Sequence, residues 1–388
     1  MKVAQIGVAH PYRGGIAHYT TSLHQALQQR GHNCCIISFS RLYPSLIFPG
    51  SSQFDQSVKA FASDAQPLLD SLNPLSWRAA ATRILELRPD VAVFQYWHPL
   101  FAPVYSAVVS RLRGQAPPIV LICHNVEPHE SHVAAKFLRD RLFGKVQQFL
   151  VHSEKDQQAL RQLRPDARVL RAPHPAYHLF DDPSLSRQAA RGKLGITQDE
   201  HVLLFFGYVR KYKGLDTLLR SLPEILKRQP VRLIIAGEFY ESRDKSDRLI
   251  RTLGIQSRVA IHDRYIPNEE VAAYFKAADL LVAPYHSATQ SGIVPTAYAF
   301  DLPVVTTTVG GLAEVVLQGK TGFLVPPGDP AALADAVAKF FRNGQQAEFR
   351  EHVRKFKVQL SWNNIVDGIE TLAGLGEMGT GEKGTDPN

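Results

Sequence analysis

The sequence predicts an α/β protein made of two consecutive doubly wound domains, each with a parallel sheet covered by helices. Two observations lead to this fold class. Short β-branched or apolar runs alternate with amphipathic helical patterns along the chain. A proline-containing, weakly patterned stretch, Ala172 to Ser186, interrupts this alternation near the middle. At 388 residues, 45% of them hydrophobic, the chain is long enough for two complete cores.

The elements follow in order along each half. We expect first-half strands near Val3 to Val8, Cys35 to Phe39, Val91 to Phe94, Ile119 to Cys123 and Phe149 to His152. We expect second-half strands near Val202 to Phe206, Arg232 to Ala236, Val259 to Ile261, Leu280 to Ala283, Pro303 to Thr306 and Gly322 to Val325. Between them the helices carry apolar stripes, as in Leu215 to Leu226.

These elements predict four segments. Residues 1–175 form an N-terminal Rossmann-like domain, and residues 187–360 form a C-terminal Rossmann-like domain. Residues 361–373 form a helix that packs back near the N-terminal domain. The tail, 374–388, has almost no apolar content and is predicted to be disordered.

The N-terminal sequence, the lack of a long apolar run and the cysteines indicate a cytoplasmic protein. The opening MKVAQIGVAHPYRGG lacks the apolar region of a signal peptide, and no run approaches the roughly 18 apolar residues of a membrane span. Cys34, Cys35 and Cys123 have no metal-binding or redox spacing, so we expect reduced core thiols.

The net charge of +8 is confined to the N-terminal half. Of 44 Lys and Arg and 36 Asp and Glu, residues 1–175 hold 19 and 11, which leaves 25 of each in the remainder. An anionic partner of the first half, such as phospholipid headgroups, a lipid diphosphate or an acidic glycan, fits this asymmetry. Nucleic acid does not fit, because no basic stripe is interleaved with aromatic residues.

Residues 285–329 read YHSATQSGIVPTAYAFDLPVVTTTVGGLAEVVLQGKTGFLVPPGD and predict an anion site. A polar loop with Gln290, Ser291 and Gly292 precedes a helix that begins near Ile293, and a Gly310-Gly311 turn opens another helix. Two helix N-termini therefore face one sheet edge, where unpaired N–H groups attract anions. A diphosphate is the expected ligand.

Two further loops at strand ends point to the same ligand. Gly14 and Gly15 follow the first strand and let the backbone approach a ligand, while the absence of a G-x-G-x-x-G pattern disfavours a dinucleotide redox cofactor. In the second domain, GYVRKYKG (207–214) places Arg210, Lys211 and Lys213 in one strand-to-helix loop. Arg can fork phosphate oxygens and Lys can add a point charge, so we predict phosphate binding there.

These motifs resemble a family-four glycosyltransferase with the GT-B architecture. The resemblance covers nearly the whole ordered chain and is strongest from Leu203 to Asp329, through GYVRKYKG, IIAGE, ADLLVAPY and PVVTTTVGGLAEVVLQGKTGFLVPPGD. It implies two Rossmann-like domains that face each other across a cleft. The N-terminal domain, 1–175, would bind the acceptor, and the C-terminal domain, 187–360, would bind the nucleotide-sugar donor. The resemblance also implies a retaining, hexosyltransferase-type transfer from a nucleotide-sugar, with UDP- or GDP-sugars as the expected donors. No metal or other cofactor is implied, and the sequence has no D-x-D spacing.

Carried over residue by residue, the resemblance assigns a donor site. It implies that Lys213 and, displaced by two positions, Arg210 bind the diphosphate, with Gly207 at the start of that loop. It implies base contacts near Tyr265 and Ile266. Its glycine loop matches Gly14 and Gly15, and its sugar-side histidine matches His124.

One departure concerns the family's pair of glutamates, which would fall at Ala288 and Thr296. No Glu occurs between Glu270 and Glu314. The sequence ATQSG stands where the first Glu is usual, a variant of bacterial sequences that resemble this family. Gln290, Ser291 and Thr296 must then hold the donor with neutral groups, which leaves sugar choice and ribose contacts open.

Residues 123–132, CHNVEPHESH, hold three histidines and two glutamates. Their spacing follows a strand into a loop and lacks the helical H-E-x-x-H pattern, so a sugar contact by His124 is favoured over zinc. His129 and Glu130 are candidate acceptor contacts.

The following segment, Val133 to Gln148, is basic and amphipathic. It either packs as a helix on its own sheet or lies on the anionic inner face of the membrane and brings a lipid-linked acceptor to the cleft.

Three function classes remain open. The first is a retaining glycosyltransferase that acts on a glycan, glycolipid or lipid-linked acceptor in polysaccharide biosynthesis. The second is another GT-B enzyme, either a glycosyl phosphorylase or a sugar-nucleotide epimerase. The third is a non-catalytic nucleotide-sugar binding protein, which the missing glutamates make plausible.

Overall fold

The computed structural model describes residues 1–44, 48, 50–58, 61, 63–114, 117–127 and 133–374. The predicted tail therefore lies, from residue 375 on, outside the described residues. Within the described chain, no helix combines the length and apolarity needed to cross a membrane.

The N-terminal domain is a seven-stranded parallel sheet in the order β3-β2-β1-β4-β5-β6-β7. Its elements are β1 Lys2–Ile6, α1 Gly15–Gln29, β2 Asn33–Arg41, β3 Ala65–Asp70, α2 Pro74–Leu87, β4 Val91–Tyr96, α3 Ala102–Leu112, β5 Ile119–Cys123, α4 Val133–Phe143, β6 Gln148–Val151, α5 Glu154–Leu163 and β7 Arg168–Arg171. The strand order reverses between β1 and β4, so the carboxyl ends of these two strands flank a crevice.

The C-terminal domain is a six-stranded parallel sheet in the order β10-β9-β8-β11-β12-β13. Its elements are α6 Arg187–Lys193, β8 His201–Phe206, α7 Leu215–Arg228, β9 Val231–Ala236, α8 Asp244–Thr252, β10 Val259–His262, α9 Asn268–Ala277, β11 Leu280–Ala283, α10 Ile293–Ala299, β12 Val304–Thr307, β13 Gly322–Val325, α11 Pro330–Phe341 and α12 Gln346–Phe356. Helix α13, Trp362–Leu372, follows. The predicted fold class, two doubly wound α/β domains, is confirmed.

Two strands were not predicted, and both are edge strands that lack a continuous buried apolar run. Strand β3, AQPLLD, contains Pro67, which an edge strand tolerates because one side of its backbone needs no partner. Strand β7, RVLR, buries only Val169 fully. The helix predicted after Gly310-Gly311 was also wrong in type: Gly310–Val315 forms a 3₁₀ helix, since two glycines and six residues do not sustain an α-helix.

Side-chain caps set the start of several helices. Asn73, Ser153, Ser186, Asp329 and Ser361 each accept a backbone N–H of the first turn of α2, α5, α6, α11 and α13, respectively. In α7, the leucine stripe faces the core, and Leu218, Leu219 and Leu222 are fully buried.

The two domains share one continuous apolar cluster. It runs from Leu23 of α1 through the linker residues Ala176 and Tyr177 to Tyr298 of α10. Helix α13 belongs to it and lies against α1, where Arg30 pairs with Asp367 and His32 lies 2.8 Å from Glu370. This shared core orients the carboxyl ends of both sheets toward a common cleft.

Candidate functional site

A cavity of about 310 Å³ lies between the domains. Its walls come from the loops that follow β1 and β5 in the N-terminal domain, and from the loops after β8, β9, β10 and β11 in the C-terminal domain. The linker contributes His174, Tyr177 and Phe180. Ligands of doubly wound sheets bind at such carboxyl edges.

Most of the residues predicted from sequence line this one cavity. They are Gly14, Gly15, His124, Gly207, Lys213, Tyr265, Ile266, Gln290, Ser291, Gly292 and Thr296. Arg210 does not line it. Its guanidinium carbon lies 4.7 Å from the ring centroid of Tyr240, and this cation–π contact keeps the side chain at the loop after β9.

Lys213 is the cation that the fold brings to the cavity. A 3₁₀ turn, Lys211–Lys213, ends at Gly214, whose φ of 69° and close approach to the Pro284 carbonyl exclude a side chain. Burial lowers the pKa of Lys213, and Arg210 lowers it further. In the described part of the chain no carboxylate pairs with its ammonium group, which lies 5.6 Å from the ring centroid of Tyr285. A buried ammonium group without a counter-ion is stabilised by an anionic ligand.

The polar loop before α10 lines the same cavity as this ammonium group. The turn at Gly310 and Gly311 makes room for it: a Cβ on Gly311 would lie 1.9 Å from Nε2 of Gln290. That Nε2 is buried and has no hydrogen-bond partner among the described residues. Ser291 is 3.5 Å from the Tyr285 hydroxyl. These groups offer neutral donors to an anion beside Lys213.

Thr296 stands where the resemblance expects a glutamate. Its hydroxyl donates to the carbonyl of Gly292, 2.6 Å away, within the first turn of α10. The side chain is buried, and its hydroxyl proton is already donated to the Gly292 carbonyl. Thr296 therefore cannot replace a carboxylate that accepts from two ribose hydroxyls.

His124 belongs to a buried histidine cluster. His124 directly follows β5, His152 directly follows β6, and His174 lies three residues after β7. Their rings are spaced 5.4 Å and 5.2 Å apart, and Tyr19 of α1 contacts all three. The parallel sheet brings these strand ends together, as it does for any residues at the same edge.

Burial keeps this cluster neutral. It lowers the pKa of His152 to about 4 and that of His174 to about 3, and it holds the pKa of His124 well below its ordinary value. Nε2 of His124 lies 2.7 Å from Oε1 of Gln95. Since an amide oxygen only accepts, Nε2 carries the proton and Nδ1 is an acceptor.

The cluster does not form a metal site. Nδ1 of His152 and Nδ1 of His174 donate to the carbonyls of Ala172 and Pro175, at 2.9 and 3.1 Å. In the chain as described, no three His, Cys, Asp or Glu side chains converge on one point. The candidate acceptor contacts His129 and Glu130 lie outside the described residues.

The sequence-based analysis missed several residues of the cavity wall. Glu238 lies two residues after β9 in the motif IIAGE, and a carboxylate so close to the end of a buried strand is a signal that could have identified it. Asn125 follows His124 and accepts a hydrogen bond from Thr289 of the other domain. Gln95 is fully buried behind the wall rather than in it, and its Oε1 lies 2.7 Å from Nε2 of His124.

Both domains match models of glycosyltransferase families. Residues 13–175 match "Glycosyltransferase Family 4", and residues 200–343 match "Glycosyl transferases group 1". Together the two matches span most of the chain.

Curated relatives include the D-inositol 3-phosphate glycosyltransferases of Acidothermus cellulolyticus and Corynebacterium diphtheriae. The first is 31% identical over 188 residues, which cover 46% of this chain and 42% of the relative. The second is 30% identical over 227 residues, which cover 55% and 52%. The chain thus spans about half the length of the curated relatives it matches.

Solved structures share the fold over nearly the full length. HepE of Anabaena in complex with UDP has a TM-score of 0.73 and 18% identity, and covers 97% of this chain and 100% of its own. Sucrose-phosphate synthase from Thermosynechococcus elongatus has a TM-score of 0.69 and 18% identity, with 96% of each chain covered. With both domains matched by the family models and both sheets arranged as in these structures, the chain belongs to the family-four glycosyltransferases of the GT-B fold.

Proposed function

We propose that this protein is a retaining, hexosyltransferase-type glycosyltransferase that uses a nucleotide-diphosphate sugar. The observation that carries this proposal is the half-buried ammonium group of Lys213, which lacks a carboxylate partner in the described chain and lines the same interdomain cavity as the loop Gln290–Gly292. Two negative charges on a diphosphate would match this cation and the neutral donors around it. HepE of Anabaena, which shares the fold, binds UDP and UDP-glucose, so UDP-sugars are the first donors to test.

The chemistry of the cavity favours retention. An inverting transfer needs a general base near the acceptor hydroxyl. Glu238 is the one carboxylate among the described residues of the cavity wall, and it is already bonded to Arg13 and to the amide of Ser51. His124 is a weak base because burial lowers its pKa. The acceptor proton would then pass to the leaving diphosphate as the new glycosidic bond forms on the same face of the sugar.

In this proposal the enzyme stabilises charge that develops on the diphosphate, with no metal or other cofactor. Lys213 supplies the positive charge and the loop 290–292 supplies hydrogen bonds. Removing one such group from a preorganised site costs roughly 3 kcal/mol, or about a hundredfold in rate.

The decisive experiment compares Lys213→Ala with wild type. Binding of UDP, GDP, ADP and their sugars is measured by calorimetry in the presence of EDTA, followed by transfer assays with the donor that binds. We expect one nucleotide family to bind, and we expect Lys213→Ala to lower turnover at least about a hundredfold while the thermal unfolding midpoint stays near that of wild type. Lys211→Ala is the matched control, because Lys211 is exposed in the same loop and lies outside the cavity wall.

Near-normal turnover in a folded Lys213→Ala variant would refute the diphosphate role. Dependence on free phosphate would indicate a phosphorylase, and an epimer formed without acceptor would indicate an epimerase. Binding without transfer across a broad acceptor panel would favour the second candidate, a non-catalytic nucleotide-sugar binding protein. That candidate rests on Thr296, whose hydroxyl is committed to Gly292 where a carboxylate is usual in the family.

We further propose that the acceptor is a glycan, glycolipid or lipid-linked molecule presented at an anionic membrane, at the inner face in the cytoplasm. Exposed apolar side chains gather where α2, α3 and α4 begin: Leu72, Leu75, Leu100, Val133 and Phe137. Because these helices start at the carboxyl edge of one parallel sheet and pack side by side, the five residues form a rim on the cleft side of the N-terminal domain. Exposed Arg78, Lys136 and Arg141 lie on the same helices. Such a rim suits peripheral contact with anionic lipid.

A further inference from the structure

An ion pair joins the two domains at one end of the cavity. Arg13, in the loop between β1 and α1, reaches across the cleft, and its Nη2 lies 2.5 Å from Oε2 of Glu238. The two side chains are only 4% and 11% exposed. The other carboxylate oxygen, Oε1, accepts from the backbone N–H of Ser51 at 2.7 Å. Both oxygens of Glu238 are therefore held by the N-terminal domain.

Arg13 also packs against aromatic rings of the C-terminal domain. Its guanidinium carbon is 4.7 Å from the ring centroid of Tyr265 and 5.7 Å from that of Tyr208. These two tyrosine rings are stacked, with centroids 6.5 Å apart. A guanidinium over tyrosine rings is attracted by their π-electrons, and more strongly in a buried place.

The charge on this buried arginine is well compensated. Burial opposes the charge, but Tyr208 and Glu238 outweigh it, so the pKa of Arg13 is raised. Burial likewise opposes the charge on Glu238, but hydrogen bonds from Ser51 and the charge of Arg13 leave the pKa of that carboxyl lowered. Both groups therefore stay ionised, and each depends on the other.

A second set of contacts closes the same end of the cavity. Asn268, at the start of α9, donates from its side chain to Oδ2 of Asp55 at 2.7 Å and from its backbone to Oγ of Ser57 at 2.9 Å. The backbone N–H of Val58 donates to Oε1 of Glu269 at 3.1 Å. The described part of the segment after β2 thus crosses to the C-terminal domain beside Tyr265.

This end of the cavity differs chemically from the Lys213 end. Its walls are largely aromatic or apolar, with Phe206, Tyr265, Ile266 and Val271. Its two polar side chains, Glu238 and Asn268, are already held by residues of the N-terminal domain. A planar heteroaromatic base fits such walls, whereas a diphosphate does not.

We propose that Arg13 is a positioning residue for nucleoside recognition, supplied by the domain opposite the donor site. Arg13 is not itself part of the cavity wall, but it fixes Glu238, Tyr208 and Tyr265, which are. The nucleoside end of the cavity is therefore complete only when the two domains are together. This inference rests on the proposed donor site.

The test separates the nucleoside from the phosphates. Affinities for UDP, GDP and ADP, and for inorganic pyrophosphate, are measured with wild type and Arg13→Gln. We expect Arg13→Gln to weaken the preferred nucleoside diphosphate at least about tenfold and to leave pyrophosphate unchanged within about twofold. Arg171→Gln is the matched control, because Arg171 also pairs with a glutamate across the domains, Glu314 at 3.4 Å, but outside the cavity wall.

A charge swap guards against a general folding defect. Arg13→Glu and Glu238→Arg should each weaken nucleoside binding, and the double variant should recover part of it. Equal losses for pyrophosphate and nucleoside diphosphate, or an unchanged nucleoside affinity in Arg13→Gln, would overturn the positioning role alone. Failure of wild type to bind any nucleoside diphosphate would overturn the donor site itself, and this inference with it.

Discussion

Gln95 fixes which nitrogen of His124 carries the proton. Gln95 is fully buried, and its Oε1 accepts from Nε2 of His124 at 2.7 Å. With Nε2 protonated, Nδ1 is left as an acceptor, and in the proposed function it would accept from a sugar hydroxyl. The ring is neutral because burial and the neighbouring His152 and His174 lower its pKa.

Gln95→Glu should convert this neutral residue into a pH-sensitive one. A carboxylate beside Nε2 favours the imidazolium, so the pKa of His124 should rise toward neutrality. Once Nδ1 is protonated it can no longer accept, and turnover should fall as pH decreases through the new pKa. Wild type should lack this acid limb, since its His124 stays neutral well below pH 6.5. Turnover measured from pH 5.5 to 9 checks this, and parallel profiles for the two proteins would contradict it.

Individual site residues were predictable where they lie in a loop that begins at the end of a strand. Gly207, Lys213 and Gln290 could be found because a buried run in the sequence ends just before each loop. Arg13 and Glu238 could not be paired, because they are 225 positions apart and meet only when two domains dock. Arg210 was expected at the diphosphate, but its direction depends on Tyr240, whose position no local pattern reveals.

At the scale of elements, three strand ends concentrate neutral histidines in the core. His124, His152 and His174 follow β5, β6 and β7, and half-buried His18 on α1 also has its pKa lowered, to about 4, by burial of its ring. In the unfolded chain these histidines titrate near pH 6.5, whereas in the folded protein they stay unprotonated to about pH 4 or lower. The unfolded state therefore binds more protons in this window.

Stability should consequently fall as pH drops from about 6.5 toward 4. Each histidine that stays neutral only in the folded state contributes a slope of about 1.4 kcal/mol per pH unit. His152→Asn, which retains a donor for the Ala172 carbonyl, should reduce the slope by about that amount. Denaturant unfolding of both proteins at pH 7, 6 and 5 measures the slope. A free energy of unfolding that is constant over this range would contradict the assignment.

The elements themselves were predictable in proportion to their burial. Central strands such as β4, VAVFQY, are buried on both faces and read as continuous apolar runs. Edge strands β3 and β7 expose one side, so their sequences resemble loops. The Gly310–Val315 turn was expected to be an α-helix, although its glycines serve mainly to admit the loop at 288–290.

At the scale of the whole molecule, charge and exposed apolar surface coincide. All of the net charge of +8 lies in residues 1–175. The same domain carries the rim of Leu72, Leu75, Leu100, Val133 and Phe137. The sequence indicated a basic amphipathic segment at 133–148, which either packs on its own sheet or lies on an anionic membrane. In the structure, Leu142 and Phe143 of α4 are buried while Val133 and Phe137 are 85% and 62% exposed, so the helix both packs on its sheet and presents apolar side chains outward.

This arrangement predicts salt-sensitive binding to anionic vesicles through α4. Wild type should bind vesicles of phosphatidylcholine and phosphatidylglycerol at low ionic strength and less well at high salt, because basic side chains supply part of the attraction. Phe137→Ser should weaken binding about tenfold or more, since burying a phenylalanine side chain contributes about 1.5–3 kcal/mol. Its exposure means that the free energy of unfolding should change by less than about 0.5 kcal/mol.

Val358→Ser provides the comparison, because Val358 is 74% exposed but lies beyond α12, away from the rim of the N-terminal domain. Vesicle co-sedimentation of the three proteins, with the lipid concentration varied, gives the partition constants. If Phe137→Ser and Val358→Ser lower binding equally, the attraction is unspecific and the rim has no special role. If wild type does not bind at low salt, the cleft edge of the N-terminal domain must receive its acceptor from solution. The same rim would then have to be explained by an acceptor with apolar groups of its own.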